Sequence, residues 1–229
     1  MAKYLLSETV IHLDTVQFVK NEFQNRNRIR AGEKPQWLTV PVIHSFGQSL
    51  LEVRINPRVD WRETHLKTLR QNYLKAPRFP EVFPRIESLY EFPTGNLVEW
   101  NLHFLTWVFD EMEIKKPMRR ASELEGIEGA RDERLIALCR RLGASRYLAG
   151  SGGLDYMRRE PWDRAGIEVR FLRYHHPQYP QGGTQFVPYC GVLDLLFHVE
   201  PTAAREVILS GVELVDWPNP PSAGERMPR

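Results

Sequence analysis

The sequence predicts an α/β fold: a single domain with a mainly parallel sheet, flanking helices and a helical insert at about residues 80–112. Three observations lead there. Short β-branched runs, such as Thr9 to Leu13 and Gly166 to Leu172, alternate with amphipathic segments, the pattern of a sheet covered by helices. The stretch Tyr147-Leu148-Ala149-Gly150-Ser151-Gly152-Gly153-Leu154-Asp155-Tyr156 reads as a buried strand, a small-residue loop and the start of a helix. A chain of 229 residues, 42% hydrophobic and 26% charged, suits one full-sized core and hardly two.

Taken in order, Thr9 to Leu13 is a strand that stops at the carboxylate of Asp14. Gln36 to Val42 and Leu50 to Ile55 are expected to be two more. Asp60, followed three residues later by Glu63, makes a capping-box-like start for a helix with Leu66, Leu69 and Tyr73 on one face. From Pro80 to Met112 the pattern is helical, with Trp100, Phe104, Trp107 and Val108 on one stripe. Lys115 to Gly129 has no clean period and reads as a surface loop whose Lys115, Lys116, Arg119 and Arg120 form a solvated turn. Asp132 and Glu133 open a helix carrying Leu135, Leu138, Cys139 and Leu142, and Arg140, Arg141 and Gly143 close it. A strand at Arg146 to Ala149, a loop at Gly150 to Gly153 and a short helix from Leu154 to Arg159 follow. A strand at Gly166 to Leu172 and closing helices at Val192 to Phe197 and Ala203 to Leu209 complete a domain of residues 1–217. The Pro-rich segment 218–229 is expected to be a loose tail.

Composition excludes several classes. A net charge of +2 gives no reason to expect a nucleic acid or an anionic membrane as partner, so any anion site must be local. Cys139 and Cys190 belong to no metal-ligand spacing, which fits free thiols in a reducing compartment and predicts neither a metal nor another cofactor. No apolar run approaches the ~20 residues that span a bilayer, and no secretion signal is visible. A cytoplasmic protein is the expectation.

Three stretches could carry chemistry. The loop at Gly150, Ser151 and Gly152 could cradle a phosphate with backbone N–H groups, or it could be a tight turn. Its Ser-Gly-Gly-x-Asp string resembles the loop of ATP pyrophosphatases, but only one clear strand follows it and Tyr156 replaces the Ser or Thr usual after the Asp. The stretch Asn25-Arg26-Asn27-Arg28-Ile29-Arg30, if extended, puts Arg26, Arg28 and Arg30 on one face. That guanidinium row suits a nucleotide diphosphate or a carboxylate, and a charged edge strand is the plain alternative. The third stretch, Tyr174 to Gln181, offers His176 as a general base, as does His65 on its helix, although a lone His is more often a hydrogen-bonded structural residue.

Together the pieces resemble the WbqC-like family. The residues that carry the resemblance are Leu13-Asp14-Thr15-Val16-Gln17-Phe18 with Lys20, Asn25-Arg26-Asn27 with Ile29, and Trp37 to Val42. Glu133-Arg134-Leu135, Tyr147 to Tyr156, Pro177-Gln178-Tyr179-Pro180-Gln181, Phe186 and Leu193-Asp194-Leu195-Leu196 complete them. The resemblance implies a setting in bacterial surface-polysaccharide (O-antigen) biosynthesis and an acyl or aminoacyl transferase acting on a nucleotide-linked amino sugar. An activated acyl donor would be its second substrate. A non-catalytic module that binds a nucleotide sugar or a partner is the alternative, and a pyrophosphatase-like adenylating enzyme the third. With the residue readings above, the candidate proton acceptors are Asp14, His65 or His176, and the candidate substrate contacts are Gln17, Lys20, Arg26, Asn27, Arg28, Gly150, Ser151, Gly152, Tyr179 and Gln181. The crevice that open sheets leave at their strand ends is expected to bring together Asp14, Gln17, the loop at Ser151 and Gly152 and the segment after Leu172. Members usually open with a strand and a His-Gln-Pro turn. Here Met1 to Leu6 reads as the middle of the following helix, so either a start upstream of Met1, the first expectation, or a natural short form without that strand is implied, and Thr15 stands where a second acidic residue is usual. Oligomeric state is left open.

Overall fold

The computed structural model describes residues 1–218, so the expected tail at 218–229 falls, apart from Pro218, outside the described residues. In chain order the elements begin with α1 (Ala2–Leu6), β1 (Val10–His12), β2 (Arg26–Ala31), β3 (Lys34–Thr39), β4 (Val42–Ile43) and β5 (Arg54–Ile55). Then come α2 (Trp61–Tyr73), α3 (Phe79–Tyr90), α4 (Leu97–Glu111), β6 (Met118–Arg120), α5 (Arg131–Arg141) and β7 (Arg146–Gly150). The series closes with α6 (Arg159–Ala165), β8 (Glu168–Tyr174), α7 (Val192–His198), α8 (Pro201–Ser210) and β9 (Val212–Val215). The class is mixed α/β, as predicted. Contacts gather into two compact units: the first is Met1–Glu123 with His176–Gly211, the second Leu124–His175 with the segment from Val212.

In the first unit, β2 and β3 form an antiparallel hairpin in which Ala31 pairs with Lys34, leaving Gly32 and Glu33 as a two-residue turn. Gly32 takes φ 62°, a backbone conformation that glycine adopts without steric cost. Around the hairpin pack α2, α3 and α4. Asp60 caps α2 by accepting from the Glu63 N–H at 3.4 Å, and the core gathers Val53, Leu69, Val82, Ile86, Leu97 and Phe197, all fully buried. The predicted insert is two helices, because Phe92-Pro93-Thr94-Gly95 interrupts the run and Asn96 starts α4 afresh by accepting from the Glu99 N–H at 3.0 Å.

The second unit is a three-stranded sheet in the order β7-β8-β9, with β7 and β8 parallel and β9 antiparallel to β8. The crossover from β7 to β8 runs through a 3-10 turn (Ser151–Asp155) and α6, which ends on Gly166 at φ 67°. Trp162, fully buried, stacks on Tyr147 and donates its indole N–H to Asp132 at 3.0 Å, tying α6 to β7 and α5.

Several expectations need correction. Among the described residues the expected mainly parallel sheet is instead four small sheets, with parallel pairing in β1–β6 and β7–β8; a two-residue connection such as that between β2 and β3 can join only antiparallel strands. Gln36 to Val42 splits into β3 and β4 on either side of Pro41, which has no N–H for a ladder. Leu50–Glu52 is a 3-10 turn rather than strand, since Ser49 and Glu52 close a reciprocal capping box around it. The solvated turn expected at 115–120 contains β6, which pairs with β1, and Lys116 donates to the Leu5 carbonyl. The helix expected at Leu154 to Arg159 is displaced to α6, and β9 has no counterpart among the expected strands.

Candidate functional site

The face built by β2 and β3 collects the arginine row. The register sets Trp37 directly across from Arg28, and the alternation of a strand places Arg26, Arg28 and Arg30 on that same side. The Arg26 and Arg28 guanidinium carbons lie 4.0 and 4.6 Å from the Trp37 ring centroid, within cation–π range. Among the described residues no carboxylate pairs with either guanidinium, and the Nε atoms of Arg26 and Arg30 are buried without a hydrogen-bond partner. A buried N–H without an acceptor is costly, so the half-buried Arg26 is suited to an anion that restores the missing partner.

Behind this face lies a buried polar network. Asp194 is fully buried at the start of α7. Its Oδ1 accepts from the Tyr73 hydroxyl at 2.7 Å, and its Oδ2 accepts from the Tyr179 hydroxyl at 2.7 Å and the Gln181 amide at 2.8 Å. Tyr73 in turn accepts the Arg30 backbone N–H at 3.0 Å, and Arg30 donates its guanidinium to the Gln181 carbonyl. Gly183 crowds that guanidinium so closely that a Cβ there would collide with it. The network thus fastens the segment 179–187 and α2 to β2. Burial, with the Asp194 charge adding to it, pushes the Tyr73 and Tyr179 hydroxyls far up, so both stay donors. On the other side of β2, Asn27 is exposed, accepts the Arg28 N–H at 2.8 Å and packs against Gly191, where a Cβ would sit 3.0 Å from it.

The residues expected to take a proton are otherwise engaged. Asp14 is 1% exposed and accepts from the Ser122 backbone N–H at 3.0 Å, the Ser122 hydroxyl at 2.6 Å and Arg120 Nε at 2.9 Å. Burial alone would raise its pKa, but the bonds from Ser122 and Arg120 outweigh it and hold the carboxyl below its usual value. Asp14 is therefore a saturated anchor for β6 and a weak base. His65 is buried, with Nδ1 3.0 Å from the Tyr90 hydroxyl and Nε2 3.0 Å from the Thr39 carbonyl, and burial lowers its pKa to about 4. Both ring nitrogens are used, so its geometry is that of a structural histidine and not of a base. His176 is half-buried in a ring cluster with Tyr179, Phe186 and Tyr189, its Nδ1 3.1 Å from the Pro177 carbonyl, and burial lowers its pKa. The Cys190 thiol, near Asp194, Arg30 and Arg28, is pushed up to about 12 chiefly by burial and stays protonated. Gln17 is exposed and bridges to Ser49, and Lys20 is exposed.

Gly150, Ser151 and Gly152 belong to the second unit, whereas Asp14 and Gln17 belong to the first. Gly150 has φ −82°, and Gly152 does not lie in the left-handed region, so neither glycine is demanded by backbone strain. Gly153 is demanded by packing: a Cβ there would lie 2.8 Å from Met157 Sδ and 3.1 Å from Phe171. The stretch is a five-residue 3-10 turn fitted to the β8 side chains, while Ser151 and Gly152 face solvent. No group of three or more His, Cys, Asp or Glu among the described residues could hold a metal ion, and no helix among them is long and apolar enough to cross a membrane.

Sequence reasoning did not foresee Trp37 as the platform for the arginines, Asp194 as the hub, or Ser122 and Arg120 as partners of Asp14. The first was within reach, since a two-residue turn at Gly32-Glu33 fixes the register that puts Trp37 opposite Arg28. The bond from Tyr73 to Asp194 and those from Ser122 and Arg120 to Asp14 join residues more than 100 apart in the chain.

An α/β chain with this hairpin face is similar to known proteins over most of its length. A family model, the WbqC-like protein family, matches residues 1–206, and the chain belongs to that family. It is also 31% identical over 198 residues to the uncharacterized protein Rv1507c of Mycobacterium tuberculosis, covering 85% of this chain and 84% of that one. No solved structure matches.

Proposed function

We propose that the protein holds a nucleotide-linked amino sugar on the β2–β3 face and presents its amine to an activated acyl or aminoacyl donor in bacterial surface-polysaccharide biosynthesis. Membership of the WbqC-like family suggests the polysaccharide setting. The observation that carries the ligand class is the pair of guanidinium groups stacked on Trp37 without a carboxylate partner among the described residues. Arg26 and Arg28 would grip phosphate oxygens, with Arg30 held in line behind them by Gln181. Asn27, Tyr179 and Gln181 then act mainly by shaping the segments around the arginines.

In this reaction the amine attacks the donor carbonyl, the donor's carrier leaves, and the proton shed by the amine passes to a base. His176 is the candidate tied to the braced hairpin, through its ring contact with Tyr179, and a lowered pKa keeps it neutral near pH 7. One observation favours a binding-only reading: Asp14 and His65 have their acceptor atoms filled by protein partners, and His176 is hydrogen-bonded to the backbone at Pro177 and Cys190.

Calorimetric titration with a panel of nucleotide-linked amino sugars tests the ligand class. Arg26→Ala and Arg28→Ala should each lose about 1.5–3 kcal/mol of binding free energy per charged hydrogen bond removed, with unchanged melting temperature. Unchanged affinity for a ligand that the wild type binds would overturn the assignment. Mass analysis of the sugar after incubation with acyl thioester and aminoacyl donors separates the two readings: a mass increase supports transfer, and tight binding with no product supports the binding module.

A further inference from the structure

We propose that the second unit carries an anion site of its own, between α5 and α6, shaped for a nucleoside diphosphate. The groove there has a volume of about 690 Å³, within the range of roughly 300–1,000 Å³ typical of small-molecule sites. One face of α5 supplies Glu133, Ile136, Ala137, Arg140 and Arg141, which recur at helical spacing, and α6 faces them with Pro161 and Arg164. Ile127 closes the groove from the preceding loop, so its floor is apolar and its rim is basic.

The four arginines of the rim are not equivalent. Arg164 is 3.5 Å from Glu160, and Arg158 is 3.9 Å from Asp132. Arg140 and Arg141 have no acidic partner among the described residues, although they are consecutive at the end of α5 and both line the groove. Two guanidinium groups lining one groove offer a diphosphate two binding points, because each can bind phosphate oxygens bidentately. An inorganic ion would leave the floor of Ile127, Ile136 and Pro161 uncovered, whereas a planar base would cover it. Glu133 and Glu160 then offer acceptors to ribose hydroxyls or to an exocyclic amine, and they would repel an anion without such donors. The free nucleotide and the nucleotide handle of a larger substrate share this chemistry.

The test uses the full chain carrying Arg26→Ala and Arg28→Ala, so that the hairpin cations contribute to neither arm and the outcome is independent of the function proposed for them. Calorimetric titration with ADP, AMP and inorganic pyrophosphate at physiological salt is compared with the same titrations after Arg140→Gln and Arg141→Gln are added. The expected result is saturable 1:1 binding of ADP, weakened at least tenfold by the added substitutions, with AMP and pyrophosphate each at least tenfold weaker than ADP. ADP affinity that does not change with Arg140 and Arg141 overturns the proposal, and so does pyrophosphate binding as tightly as ADP, which would show surface charge acting without the groove. Both side chains are exposed, so the variants should fold, and an unchanged melting temperature verifies it.

Discussion

The β2–β3 hairpin and the turn after β7 both read as anion holders in the sequence, yet they are built on different physics. The hairpin is braced from behind by buried polar groups: Asp194 with Tyr73, Tyr179 and Gln181, and His65 beneath the end of β3. Arg26 and Arg28 have no carboxylate partner among the described residues and stay on Trp37, whereas Arg30 is part of the brace through Gln181. The turn is held by close packing of Gly153 against Met157 and Phe171. A polar brace is sensitive to pH and to loss of a single partner, while a steric fit is sensitive to volume. The two regions therefore should fail under different perturbations.

The largest effect is expected at the hub. Asp194→Ala leaves the Tyr73, Tyr179 and Gln181 donors without their acceptor in a dry site, and each unsatisfied buried group costs about 1–3 kcal/mol. A total on the order of 3 kcal/mol or more is a large share of the ~5–15 kcal/mol that holds a domain together. Urea denaturation should show it as a lower midpoint. A loss below about 1 kcal/mol would mean that the network does not brace the hairpin.

Acid should reach the hairpin before the turn. His65 has a folded-state pKa of about 4, below its unfolded value near 6.5, so the unfolded chain binds more protons between those values. Stability is therefore full above about pH 6.5 and falls as the pH drops toward 4, by on the order of 3 kcal/mol from this group. Asp14, whose folded pKa is lowered, adds a further loss as the pH falls through that value. His65→Gln should flatten the first window, since Gln cannot gain that proton. A melting temperature that is equally steep from pH 6.5 to 4 in the variant would assign the loss elsewhere.

The smallest effects distinguish neighbours in the turn. Gly153→Val should cost about 1–3 kcal/mol by overpacking against Met157 and Phe171. Gly152→Val, one residue away, meets nothing within 4 Å and should change stability by no more than about 0.5 kcal/mol. Paired thermal melts decide it, and equal losses in the two variants would contradict the packing account.

The sequence by itself determined the α/β class, the start of α2 and both ends of α5 to within a residue or so, and the one-sided arginine row. These follow from interactions within a few residues: side-chain alternation in a strand, the Asp60 cap, the helical stripe before Gly143. Strand partners were not legible, since pairing Val10–His12 with Met118–Arg120 depends on two three-residue strands, one of them mostly basic, meeting across more than 100 residues. Nor was the fate of each candidate site residue. Asp14, His65 and Ser151 are residue types that do chemistry when their atoms are free, and whether they are free is decided by what the folded chain places beside them. Tertiary structure filled Asp14 and His65 with protein partners and left Arg26 and Arg28 on an aromatic ring. Hydrogen bonding and desolvation act over a few ångströms of space and are blind to separation along the chain.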